Sequence, residues 1–183
     1  MEVYSFLADG FEEIEALAVI DILRRAKVNV QTVSVTGKSV VTGAHGIPVT
    51  ADLLFENLDA TGADLLILPG GLPGATNLAD HVGLREVIQK QYEKGGMLAA
   101  ICAAPLVFGR MGLLEGRKAT CYPGIEPELK GAETTGEMVQ EDGPFITGKG
   151  PAAANAFGLT LVERLRGKEI ARVIAQGMLL LPQ

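Results

Sequence analysis

The chain predicts an α/β fold: a doubly wound, mostly parallel sheet with helices on both faces. Two observations carry that expectation. Strand-like and helix-like segments alternate along the 183 residues, and the strand candidates are short apolar runs that must be covered on both sides. The composition agrees, since 48% hydrophobic and 21% charged residues suffice for a sizeable core in one domain spanning residues 1–183.

Residues 3–8 (VYSFLA) read as a short apolar strand. Residues 12–26 follow with Ala16, Val19, Ile20, Leu23 and Ala26 at helical spacing, and residues 29–35 return as a β-branched run, completing a βαβ unit. Between Val40 and Leu54, Gly43 and Gly46 interrupt apolar pairs, which suits a hairpin or an irregular excursion. Residues 64–68 (DLLIL) read as a buried parallel strand ending in PGGLPG, residues 84–94 as a helix and residues 97–101 as another strand. A helix is expected over 103–111, then a short strand near 118–121 and a strand pair near Met138 and residues 145–147. Helices over about 153–165 and 169–178 complete the order.

Several function classes are disfavoured by composition. A net charge of −6 argues against nucleic acid, whose phosphate backbone needs a cationic face. No apolar run approaches the roughly 20 residues that span a bilayer, and the opening MEVYSFLA lacks a basic leader region. A cytoplasmic protein is therefore expected. In that setting its two cysteines, Cys102 and Cys121, stay reduced. Neither Gly37-Lys38-Ser39 nor Gly148-Lys149-Gly150 has the spacing and placement of a phosphate or dinucleotide loop. No helix carries paired metal-ligand histidines; His45 and His81 are isolated, so no metal and no cofactor is expected.

Ligands in open sheets of this kind bind beyond the carboxyl ends of the strands. Three features converge there: the acids of Asp9-Gly10-Phe11-Glu12-Glu13-Ile14-Glu15, the Gly70-Gly71 pair, and Cys102 at the junction MLAAI-C-AAP. A strand turning sharply into a helix would hold the Cys102 thiol at the positive end of the helix dipole, where a thiolate is favoured. Backbone N–H groups of Gly70, Gly71, Cys102 and Ala103 could stabilise an oxyanion. Plainer readings exist for each feature: a buried core cysteine, glycines that turn the chain, and acids that complement a dipole.

The runs ADGFEEIEAL, LPGG, AAICAAP, ATCYPG and ITGKGPAAANAFGLTLVERLRGKEIA resemble, in order and spacing, the ThiJ/PfpI superfamily. The resemblance is to the branch of the Parkinson's-disease protein deglycase and bacterial YajL. It implies a flavodoxin-like fold and a homodimer, with Cys102 as the reactive cysteine and Glu15 as the carboxyl that contacts it. Gly71 and Cys102 would supply the oxyanion N–H groups. It further implies cofactor-free conversion of a small aldehyde substrate, methylglyoxal or glyoxal, to a hydroxy acid; the same hemithioacetal chemistry on glycated side chains ranks lower. The chain departs from the pattern where other members place a histidine, having Tyr122 after Cys121. Peptidase activity is thereby disfavoured, because amide hydrolysis needs an acid for the leaving amine. His45 and Lys149 align near family arginines, leaving a weakened accessory role. Cys121 is read as a buried strand residue, with a resolving-thiol or interface role as the alternative. An oxidative-stress redox sensor or chaperone using the same cysteine is the competing function, and noncatalytic binding on the same scaffold a third.

Overall fold

In the computed structural model, which describes residues 1–181, β1 (Glu2–Leu7) lies at the centre of the sheet and leads into α1 (Glu13–Arg25) and β2 (Asn29–Ser34). A hairpin of β3 (Val40–Thr42) and β4 (Pro48–Thr50) follows, then the short β5 (Leu53–Leu54) and the buried β6 (Leu65–Leu68). Next come α2 (Gly74–Asp80), α3 (Val82–Glu93), β7 (Met97–Ile101) and α4 (Pro105–Arg110). The remainder holds β8 (Lys118–Ala119), β9 (Glu133–Thr134), β10 (Val139–Asp142), β11 (Phe145–Gly148), α5 (Ala154–Arg166) and α6 (Lys168–Gly177). Residues 182 and 183, which the expected domain also includes, lie outside the described residues.

The main sheet has the order β10-β11-β7-β6-β1-β2-β5, and every pairing is parallel except β10 with β11. The expected fold class holds. Successive side chains alternate between two cores, as the strand period of two requires. Val3 and Leu7 of β1, Leu65 and Ile67 of β6, and Ala99 and Ile101 of β7 face α1, α5 and α6. Phe6, Leu66, Leu68, Leu98 and Ala100 face α2, α3 and α4. Burial on both faces is why these strands read as continuous apolar runs rather than alternating ones.

The order of strands reverses between β1 and β6: the chain builds outward to β2 on one side, then returns to add β6, β7 and β11 on the other. Diverging connections leave a crevice at this point. The loops after β1, β6 and β7 all open at that crevice, and they carry the acids, the glycine pair and Cys102.

Two local expectations change, and one further helix is present. The helix expected over 103–111 is shorter, because residues 102–104 form a turn and Pro105 opens α4 at its first position. The strand near 118–121 covers two residues and pairs with β9 instead of the main sheet. Helix α2 has no counterpart in the sequence reading, since GATNLAD is seven residues long and begins with glycine, too short and too weak a pattern to register.

Phe145 ties the sheet to its α3–α4 face. It is fully buried, stacks on Tyr92 with centroids 5.6 Å apart and packs against Phe108 at 5.5 Å. Phe145→Ala should cost about 3–5 kcal/mol through lost burial and a residual cavity, read as a lower urea midpoint at unchanged slope.

Candidate functional site

The three acids after β1 have three separate tasks. Glu12 caps α1, its Oε2 accepting the Glu15 N–H at 2.8 Å. Glu13 turns toward the β3–β4 hairpin, accepting the His45 N–H and contacting His45 Nδ1, both at 2.7 Å. Glu15, 1% exposed, points under the crevice, where its Oε2 accepts the Gly70 N–H at 2.9 Å. Its Oε1 is sealed from solvent without a hydrogen bond, and the side chains that act on this carboxyl are the Cys102 thiol and the Glu12 carboxylate.

Cys102 occupies the left-handed region, with φ +65°. A non-glycine residue there costs roughly 1–2 kcal/mol, so the surroundings must hold it. They do so on both sides: the Cys102 N–H donates to Gly148 O at 2.8 Å, and Cys102 O accepts the Tyr122 N–H at 2.8 Å. Gly70 lies between Cys102 and Glu15, where an added Cβ would clash with Glu15 Oε2 and sit 2.5 Å from Cys102 Cβ. Gly71, at φ +87°, passes so close to the β1–α1 loop that a Cβ would lie 2.5 Å from Glu12 N. A side chain at Gly70 would separate the acid from the thiol, and one at Gly71 would push the loop after β6 away from the β1–α1 loop.

The electrostatics follow from burial. Loss of solvent pushes the Glu15 carboxyl up to about 7, with the Cys102 thiol and Gly70 N–H pulling it down and the Glu12 charge pushing it further up. Burial, followed by the charge of Glu15, pushes the Cys102 thiol up to about 12, while the N–H groups of Gly71 and Ala103 favour the thiolate. The expected lowering by a helix dipole is therefore outweighed. The thiol is buried beside the Glu15 carboxyl, and α4 begins only at Pro105.

The structure brings Glu15, Gly70, Gly71, Cys102 and Ala103 together, and revises the oxyanion donors. The N–H of Gly70 is taken by Glu15 and that of Cys102 by Gly148 O, so neither is free to meet an oxyanion. Gly71 and Ala103 remain. Cys121 is buried in the core on the opposite sheet face from the core containing Cys102, and both thiols are free; the expected burial is found, but Cys121 lies two residues beyond the end of β8 rather than in a strand. Burial pushes its thiol up to about 11. Tyr122 reaches the site through its backbone only, its half-exposed ring lying over Gly150.

Lys149 Nζ donates to Gly136 O at 2.9 Å. His45, exposed at its ring, clamps the hairpin to Glu13, which raises its own pKa above the ordinary histidine value. His81 caps α3 by accepting the Leu84 N–H at 3.0 Å and packs edge-on against Phe55. Among the described residues Glu12, Glu13 and His45 bring three donor atoms within 4.8 Å of one another, but both Glu13 oxygens are already engaged by His45. No helix among the described residues is long and apolar enough to cross a membrane. Sequence reading missed the cap role of Glu12, because glutamate is not among the favoured N-cap residues, and the Gly148 carbonyl, which no residue pattern announces.

A profile of the DJ-1/PfpI family matches residues 1–164. The chain belongs to the DJ-1/PfpI family. DJ-1 homolog B of Arabidopsis thaliana is 42% identical over 178 residues, covering 96% of this chain but 41% of the plant protein. The chain thus spans less than half the length of that relative. A Pyrococcus abyssi protein named a deglycase is 31% identical over 169 residues, 91% of this chain and 100% of its own. The structure of Toxoplasma gondii DJ-1, oxidised, matches with a TM-score of 0.92 at 35% identity, over 97% of both chains. This DJ-1/PfpI chain therefore shares its family with a protein named for deglycase activity.

A carboxyl raised from 4.5 to about 7 by folding favours the folded state fully below pH 4.5, and that contribution is lost as pH rises through about 7. The difference is about 3 kcal/mol. Glu15→Gln removes the ionisation, so its Tm should gain on wild type as pH is raised from 5 to 8.5; a pH-independent difference would contradict a buried, titrating Glu15.

Proposed function

We propose that this chain, as one domain, is a cofactor-independent, cysteine-dependent glyoxalase of the deglycase type, converting methylglyoxal or glyoxal to the hydroxy acid. The observation that carries the reading is the buried Glu15 carboxyl beside Cys102 on a strained elbow, with the Gly71 and Ala103 N–H groups acting on the sulfur. Family membership shared with the archaeal deglycase supports the class of reaction.

Above about pH 7 the pair holds one proton, on either sulfur or carboxyl. In the form with neutral Glu15 the repulsion is gone, and the two N–H groups stabilise the thiolate. The thiolate attacks the aldehyde carbon, forming a C–S bond and an oxyanion that takes the Glu15 proton to give the hemithioacetal. The carboxylate so formed removes the C1 hydrogen as a proton and returns it to C2, while the hydroxyl proton on C1 passes to the C2 oxygen by way of the enediol. The aldehyde carbon is oxidised to a thioester while the neighbouring carbonyl is reduced to an alcohol. Water then cleaves the thioester, releasing lactate or glycolate and the free thiol. No external oxidant or reductant enters the balance.

The two histidines are engaged at the hairpin and at the α3 cap, which disfavours a Cys–His peptidase. A homodimer accompanies the proposal: Ile14 and Leu17 on α1 and Ile47 on the hairpin are exposed apolar side chains for which an interface gives a role. A redox sensor or chaperone is the second reading, favoured by the oxidised form of the Toxoplasma relative. Turnover separates the two, because a sensor reacts once and stays modified.

Methylglyoxal consumption followed by NMR should show many equivalents of lactate per protein. The rate should fall at least about 100-fold in both Cys102→Ala and Glu15→Gln. Stoichiometric uptake alone, or variants that match wild type, would overturn the enzyme reading in favour of the sensor.

A further inference from the structure

Three hydrogen bonds close a ring beneath the crevice. The Glu12 N–H donates to Gly70 O at 2.9 Å, the Gly70 N–H donates to Glu15 Oε2 at 2.9 Å, and the Glu15 N–H donates to Glu12 Oε2 at 2.8 Å. All three residues are buried, and the ring joins the loop after β1 to the loop after β6. Each member uses one donor and one acceptor, so breaking any link leaves a buried polar group unmatched. Glutamate is a poor choice for a cap alone; serine, threonine, aspartate and asparagine cap better. What glutamate adds here is a carboxylate at the back of a second, drier carboxyl.

We propose that Glu12 is the positioning residue of the Glu15–Cys102 pair: the ring it closes fixes one Glu15 oxygen on the Gly70 N–H, leaves the other unengaged, and sets a second carboxylate behind the pair. The groups facing this ring are few. Cys102 faces Glu15 from the elbow after β7, and the Gly70 N–H from the loop after β6. His45 Nδ1 lies 4.0 Å from Glu12 Oε1 and is held by Glu13; its ring is 70% exposed, so solvent screens its charge. The Glu12 charge acts on Glu15 in the direction the proposal requires, opposing ionisation.

This role rests on the Cys102–Glu15 chemistry proposed above, and its test does not need turnover. Iodoacetamide alkylation of Cys102, followed by peptide mass spectrometry from pH 5 to 10, reads the fraction of thiolate. In wild type the rate should rise through about pH 7, where the pair loses its first proton, and Glu15→Gln should abolish that limb. Glu12→Gln and Glu12→Ser keep a neutral capping oxygen and should move the limb about half a unit to one unit toward lower pH. Glu12→Asp, which keeps the charge, should hold it in place.

A limb unmoved in the neutral-cap variants would overturn the proposal and leave Glu12 a helix cap. Serine is the stronger neutral cap, so the measurement survives if the glutamine variant fails to fold. Methylglyoxal turnover measured in parallel separates the two failures. A shifted limb without turnover in wild type sinks the enzyme reading alone, whereas normal turnover with an unmoved limb sinks only the role of Glu12.

Discussion

Glu15 is a carboxyl removed from water, and the organisation of the crevice follows from that constraint. An ionised carboxylate that is 1% exposed must either find donors or take up a proton. Here it finds one donor, the Gly70 N–H, and shares the second option with the thiol beside it. A single proton therefore serves two groups, and its position decides whether Cys102 is a thiolate or a neutral thiol.

Maintaining that arrangement requires backbone in unusual places. Cys102 pays in torsional strain for a position that presents its sulfur to Gly71 and Ala103, and the bonds to Gly148 and Tyr122 hold it there. Gly70 and Gly71 accept what other residues cannot, because a Cβ at Gly70 would strike Glu15 and Cys102 and one at Gly71 would strike the β1–α1 loop. The two sheet faces support this from below. Cys102 packs with the α1–α5 layer, while the residues that follow it, Ala103 and Ala104, pack with the opposite one.

Much of the fold was legible in the residues. The apolar runs at β1, β6 and β7 are continuous because both faces are covered, and the helical spacing of Ala16, Val19, Ile20 and Leu23 matches the buried stripe of α1. Where the reading faltered, the elements were short: α2, β8 and the truncated α4 gain their stability from neighbours rather than from their own pattern. Among the acids, periodicity could not single out Glu15 from Glu12 and Glu13, since all three lie in one turn of chain and all are buried. Only the resemblance of motifs pointed to Glu15.

By itself the sequence determined the class of architecture and the neighbourhood of the site, because strand and helix periods are local and loops after parallel strands share one edge. It also determined which residue types were at hand: one cysteine at a strand–helix junction, acids opposite, glycines between. Tertiary structure alone decided which N–H groups face the sulfur, since Gly148 and Glu15, distant in the chain, claim those of Cys102 and Gly70. It likewise decided the direction of both pKa shifts. Desolvation depends on how completely the layers close over a group, and no local pattern encodes that.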